Sequence, residues 1–300
     1  MISTVNDFAA QLEQTGVYLQ TGPFSIHLRS GLASVAEGLA RLYFEYPRSE
    51  RSEFADFHLN VDAVAGLRRW VRPQVQFAFD GHIPFKPLPL VQAFPMFEWG
   101  LNWCVANHAH DYLIIHAAVV EKGGKAAILP APPGSGKSTL CAALVNCGWR
   151  LFSDELAMFS LQMRKLVPLP RPVNLKNNSI DIMQAYAPDA VFGPRVADTN
   201  KGTVCHMKAP ADSIARAAEA ALPAWIILPR YVPEAAASLT PRGKAQTCMD
   251  LAHNAFNFSL LADEGFQALT ELLDQSDCYD FSYSRLDDAV HIFDKLAAGQ

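Results

Sequence analysis

A chain of 300 residues, half of them hydrophobic and 18% charged, holds enough apolar material for one large core or two ordinary domains and is no disordered polymer. Its 25 Lys plus Arg against 30 Asp plus Glu leave a net charge of -5, which excludes a duplex-coating or polybasic membrane-surface protein on the whole-chain balance. There is no apolar run long enough to predict a membrane-spanning helix. The opening MISTVNDFAAQLEQTG has neither the basic nor the apolar segment of a secretory signal. The six cysteines form no Cys-x-x-Cys pair, so a reduced, cytoplasmic protein is expected, with Cys141 and Cys147 as small core residues of one helix.

Residues 17–28 read as a hairpin that turns at Thr21-Gly22-Pro23, and residues 32–46 carry apolar positions at helical spacing. Strands are expected over 55–61 and 75–79, the second turning at Asp80-Gly81. Prolines at 84, 87, 89 and 95 make continuous sheet or helix hard to maintain, so this stretch is the expected boundary between an α+β region, 1–95, and a larger domain, 96–300. A buried helix over 97–109 follows. Next come strands over 112–120 and 126–129 joined at Gly123-Gly124, and then a helix from Lys137 to about Asn146. Short strands are expected at 151–153, 156–161, 203–207 and 224–228, and helices at 177–186, 242–256, 263–275 and 285–297. Strands alternating with helices predict an α/β sheet covered on its faces, and the hairpins near 120 and 160 make it mixed.

The segment Ala131-Pro132-Pro133-Gly134-Ser135-Gly136-Lys137-Ser138-Thr139 fits the phosphate-loop pattern G-x-x-x-x-G-K-[ST], with Ala131 in place of the first glycine. It sits between an apolar strand and a helix, as such a loop must. Gly134 and Gly136 let the backbone curl so that successive N–H groups face phosphate oxygens, and the helix start adds positive dipole character. Lys137 brings a mobile charge to the terminal phosphates, and the Ser138 hydroxyl can ligate Mg²⁺. Pro132 and Pro133 lack N–H donors and stiffen the entry, which leaves donation to 134–139. Ala131 costs little if its φ stays negative.

Asp154 and Glu155 follow the short segment Leu151-Phe152-Ser153, at the strand end where an acid beside phosphates belongs. One carboxylate could hold Mg²⁺ and the other accept a proton from an attacking hydroxyl. Neighbours on an extended strand face opposite ways, so both serve one site only if the chain turns there; a solvated acidic turn is the alternative. His116, among Ile114, Ile115, Ala117 and Ala118, reads on its own as a core histidine. Lys201, before Gly202 in a polar loop, could reach a phosphate. Arg171, Lys176 and Arg230 could face nucleotide or substrate, with Asn174 between the first two. His206 reads as structural. His108 and His110 lack the further ligands a metal site needs. Phe94, Phe97, Trp99 and Trp103 have the helical spacing of core residues.

HAAVVEKGGKAAILPAPPGSGKSTLCAALVNCGWRLFSDELAMF resembles the catalytic core of the HPr kinase/phosphorylase family: a His on a strand, a hairpin, the phosphate loop, a helix, then G-x-R-L-x-x-D-[DE]. Over essentially its whole length the chain resembles the bacterial HPr kinase-related kinase A family, through RLYFEYP, LRRWVRPQVQF, QAFPMFEWGLNWC, RPVNLKNNSID, FGPRVADTNKGTVCHMKAP, WIILPRY and CYDFSYS. The resemblance implies a P-loop kinase domain with a mixed sheet, of the HPr kinase/PEP carboxykinase type, behind a small α+β region. It implies that Gly134, Gly136, Lys137, Ser138 and Thr139, with Pro133 and Ser135 in the same loop, bind ATP and Mg²⁺. It further implies Asp154 as general base, Glu155 as a metal-site acid, and His116 near the transferred phosphoryl group. The parent family's Glu-Ile-Arg-Gly-Leu-Gly signature is absent. Arg171-Pro172-Val173-Asn174-Leu175-Lys176-Asn177 stands in its place, so the resemblance does not by itself imply the parent's protein-substrate surface or its phosphate-dependent reverse reaction.

The expected function is ATP-dependent transfer of a γ-phosphoryl group to a Ser or Thr hydroxyl of a protein or peptide. Residues 1–95 would recognise the acceptor, and the resemblance suggests a small peptide-chaperone protein as a partner. No nucleic acid or membrane partner is expected, and a homo-oligomer is compatible with the sequence. A small-molecule kinase, a nucleotide-gated binding module without transfer chemistry, and a phosphorylase are the alternatives.

Overall fold

The computed structural model describes residues 5–49, 54–66, 68–132 and 134–299, which form a mixed α/β fold. After α1 (Val5–Gln14), alternation of apolar and polar residues builds the expected hairpin from β1 (Val17–Thr21) and β2 (Phe24–Arg29), with Val17, Leu19, Ile26 and Leu28 buried on one face. α2 (Ala33–Leu42) buries Val35, Leu39 and Leu42 and ends before the expected 46. Beyond its end, Tyr43 and Tyr46 enter the core, where their hydroxyls donate to Glu98 Oε1 (2.7 Å) and to the Pro170 carbonyl (2.9 Å). β3 (Arg48–Ser49), β4 (Phe57–Ala63), the short α3 (Arg68–Val71), β5 (Gln74–Phe79) and β6 (Leu88–Pro89) complete a six-stranded sheet, ordered β3-β1-β2-β4-β5-β6. The chain leaves β5 through Asp80 and Gly81, whose φ values of 46° and 81° make the expected left-handed turn.

α4 (Ala93–His108) begins inside the proline-rich stretch, earlier than expected. Pro95 falls in its first turn, where a missing N–H leaves no hydrogen bond unmade. One side of α4 packs on α2, β4 and β5, and its apolar residues join one buried cluster that runs from Phe8 through Phe77 and Phe97 to Leu140 and Phe293.

The second half opens with the hairpin of β7 (Tyr112–Lys122) and β8 (Lys125–Pro130), then α5 (Lys137–Asn146). There follow β9 (Arg150–Ser153), β10 (Leu156–Ser160), β11 (Leu166–Val167), β12 (Val173–Lys176), α6 (Asn178–Tyr186), β13 (Val196–Thr199) and β14 (Gly202–Met207). The chain ends with α7 (Ala211–Ala215), β15 (Leu222–Tyr231), β16 (Ser238–Pro241), α8 (Lys244–Asn254), α9 (Phe258–Asp274), β17 (Asp277–Tyr283) and α10 (Leu286–Ala297). The large sheet is ordered β11-β10-β7-β8-β15-β17-β16. β8, β15 and β17 are parallel, and β7 is antiparallel to β8, so the sheet is mixed as expected. β9 and β10 lie end to end along the other edge of β7, opposite residues 119–121 and 112–116. Both run antiparallel to β7, so β9 delivers its carboxyl end to the same side of the sheet as β8 does. β12, β14 and β13 form a third, three-stranded sheet.

A buried ion pair ties α4 to the segment entering β12. Arg171 donates to the Glu98 carboxylate and carbonyl oxygen (2.8 Å) and to Asn102 Oδ1 (2.6 Å), and both charged side chains are nearly out of water. Removing one member of such a pair strands the other. Arg171→Met should lower stability by about 3–5 kcal/mol in urea unfolding. Adding Glu98→Gln to that variant should recover much of the loss, because the uncompensated carboxylate is then gone.

Candidate active site

β8 ends at Pro130 and the chain enters the loop through Ala131, which is buried and keeps a negative φ, as the loop reading required. Gly134 and Gly136 have φ of 86° and 91°, the left-handed values that curl the loop. A Cβ at Gly136 would lie 2.5 Å from the Tyr283 hydroxyl, so only glycine fits there. The loop is pinned from two neighbouring strand ends. The Tyr231 N–H donates to the Ser135 carbonyl (3.0 Å), and the Tyr283 hydroxyl to the Gly136 carbonyl (3.1 Å). Gly136 is the N-cap of α5 and has no side chain to cap it, so the first N–H groups of this ten-residue helix stay open to a ligand. Ser138 is half-buried and Thr139 buried on its first turn. Pro133 lies outside the described residues.

Lys137 Nζ lies 3.2 Å from His116 Nε2, which brings loop and strand histidine together. Burial, reinforced by Lys137, pushes the His116 pKa down to about 4, so the neutral imidazole accepts a hydrogen bond from the ammonium. Burial also lowers the Lys137 pKa, partly offset by Asp154 and Glu155.

The chain does turn between β9 and β10. Ser153 Oγ accepts the N–H groups of Glu155 (3.3 Å) and Leu156 (2.9 Å), and this kink lets adjacent acids serve one site. Asp154 is 5% exposed; its Oδ2 accepts the Asn174 N–H (3.0 Å), while its Oδ1 has no partner. Burial first, then the neighbouring Glu155, raises its pKa to about 6. Glu155 accepts from Asn102 Nδ2 at 2.5 Å, and its other oxygen lies 3.9 Å from Lys176 Nζ and 4.0 Å from Lys201 Nζ. Burial would raise its pKa too, but Lys201, Lys176 and Lys137 together prevail and hold it below the usual carboxylate range.

Lys201 is thus at the site, on the tip of the β13–β14 hairpin, where Thr199 Oγ1 accepts its N–H (3.0 Å). Its ammonium also stands 5.2 Å from the Trp99 ring centre. Trp99 is therefore not the core residue its spacing suggested: it is partly exposed, and its indole N–H has no partner. Arg171, expected as a candidate for nucleotide or substrate, is instead locked to Glu98, Asn102 and Tyr43, which leaves it to position α4. Arg230 stays exposed at the end of β15. His206 is buried edge-on to Phe94 (5.4 Å) with Nε2 unpartnered, and it lines with Asp154, Trp99 and Asn174 a cavity of about 20 Å³, room for one or two waters. His108 ends α4 between the rings of Phe79 and Trp103. Cys147 is exposed, not core, with Sγ 3.6 Å from the Tyr186 hydroxyl.

Sequence reasoning missed Asn102, which holds Glu155. Its signal was available: Glu98 and Asn102 are polar at i, i+4 on an otherwise apolar helix, so one stripe of α4 must face something other than a core. Among the described residues no group of three or more His, Cys, Asp or Glu is arranged to hold a metal ion. Mg²⁺ nonetheless fits the donors present, since it is commonly bound through one or two carboxylates plus substrate phosphates. Asp154 has a buried oxygen free, and Ser138 and Glu155 are the other oxygen donors. No protein-family model matches the chain, and no curated protein matches it.

The raised Asp154 pKa sets a pH test. Below its unfolded value near 3.8 the carboxyl is protonated in both states and contributes nothing. Between there and about 6 the folded state keeps a proton that the unfolded state has lost, so this group's effect on stability turns unfavourable as pH rises, and is full above 6. Asp154→Asn should therefore be more stable than wild type at pH 7 to 8. The gain should shrink as pH falls and vanish near pH 3.8, as read from urea midpoints across pH.

Proposed function

We propose that the chain is an ATP-dependent phosphotransferase that moves the γ-phosphoryl group to a hydroxyl acceptor. The observation that carries this reading is Asp154: a buried carboxylate with a raised pKa and one unpartnered oxygen, at the same sheet end as an uncapped glycine loop and its lysine. A group with pKa about 6 is ionised near neutral pH, yet basic enough to take a proton from an attacking hydroxyl. The resemblance to the HPr kinase-related kinase A family supports the same assignment, with a Ser or Thr of a protein or peptide as acceptor.

In this reading the N–H groups of residues 134–139 bind the phosphates. Lys137 leaves His116 to neutralise charge on the transferred group, which the weak basicity of the buried imidazole makes easy. Lys176 and Lys201 add positive charge on the far side of Glu155. Glu155 and Ser138 are the residues that would hold Mg²⁺, which when bound neutralises phosphate oxygens, and this leaves the free oxygen of Asp154 for the proton. Asp154 accepts the acceptor's proton, and Asn174 holds its other oxygen in place through backbone N–H donation.

The test is incubation with γ-labelled ATP and lysate or candidate peptides and metabolites. Wild type should label an acceptor. Asp154→Asn should cut transfer by about a hundredfold or more while ATP still binds, as loss of a general base does. Lys137→Ala should impair binding and transfer together. Label transfer that survives both substitutions overturns the assignment.

A further inference from the structure

Tyr231 is the last residue of β15 and is 50% exposed, although it adjoins the loop at 134–136. Its backbone N–H holds the Ser135 carbonyl (3.0 Å). Its ring meets Tyr283 edge-on at 6.0 Å, and Tyr283 in turn stacks on Phe281 (5.4 Å, 12°) and donates to the Gly136 carbonyl. An aromatic residue is thus held beside the loop half open to water, at little further entropic cost to a ligand that covers it.

The sheet order gives that ring a direction. His116 and Asp154 lie on the β7 and β9 side of β8. β15 and β17, which carry Tyr231 and Tyr283, lie on the opposite side. A polyphosphate gripped at 134–139 with its reacting end toward Asp154 must therefore send its other end over the carboxyl ends of β15 and β17. We propose that Tyr231 is the shelf on which the base of a bound nucleotide stacks, with a purine as the best occupant because of its larger π-face. This inference rests on the phosphate-loop reading of 134–139. Phe256, also exposed, packs 5.8 Å from His116, and Trp99 lies beside Lys201; both are on the acid side and do not serve that role.

The test separates base from phosphates by calorimetric titration of the full chain with ATP and with inorganic tripolyphosphate. Tyr231→Ala leaves the backbone N–H to Ser135 intact. It should weaken ATP about tenfold and leave tripolyphosphate within about twofold, as loss of one base–aromatic stack predicts. Tyr231→Phe should retain ATP affinity, and Phe256→Ala should change neither ligand. The proposal is overturned if Tyr231→Ala leaves the ratio of the two affinities unchanged, if Tyr231→Phe loses ATP as Tyr231→Ala does, or if Phe256→Ala moves the ratio instead. If wild type binds tripolyphosphate, a negative result condemns the shelf alone. If it binds neither ligand, the phosphate-loop reading falls and the shelf with it.

Discussion

Two adjacent carboxylates and three lysines share one corner of this fold, and they do not neutralise one another evenly. Lys176 and Lys201 converge on Glu155, Lys137 is held by His116, and Asp154 is left with a backbone N–H on one oxygen and nothing on the other. Burial pushes both acids up, and the lysines separate them: Glu155 is held below the usual carboxylate range, while Asp154 rises to a pKa of about 6. Pairs of titratable groups pushed apart in this way are how one site holds an acid and a base at once. The kink at Ser153 makes the arrangement possible, because on an unbroken strand Asp154 and Glu155 would face opposite sides of the sheet.

The first 110 residues are part of that balance. Asn102 of α4 is the shortest contact to Glu155, and Arg171, paired with Glu98 one turn away, donates to Asn102 Oδ1. Tyr43, just past α2, completes the network by donating to Glu98. A change in how the first sheet seats α4 is therefore felt at Glu155 through two hydrogen bonds. The N-terminal layer, through α4, carries one wall of the site.

Much of this was legible in the sequence wherever the signal is local. The hairpin at 17–28, the Asp80-Gly81 turn, the β7–β8 hairpin and the strand–loop–helix around Lys137 all follow from spacing and turn residues over about a dozen positions. Ends set by distant partners were not legible. α2 stops at Leu42 because Tyr43 and Tyr46 find partners in Glu98 and Pro170. β17 escaped notice because Asp277 and Asp280 interrupt its apolar pattern; its strand state comes from lying between β15 and β16. The surroundings of Trp99 and Arg171 are likewise set by distant partners. The apolar residues around Trp99 mask the stripe that Glu98 and Asn102 mark on α4, and an arginine beside a proline looks the same whether its partner is a phosphate or a buried glutamate.

The same sheet order that joins these groups also separates two ends of the site. β7 stands between the acid-bearing strand and the loop-bearing strand, so Asp154 reaches the loop only because its strand breaks level with the end of β8. On the other flank β15 and β17 run parallel to β8 and end in two tyrosines that fasten the loop. One flank is charged, kinked and buried; the other is aromatic, regular and half open. In the function proposed above, a ligand that meets both flanks is anionic in its middle, reactive at one end and flat at the other. Strand order and direction set which flank each group occupies, and the side chains set its character.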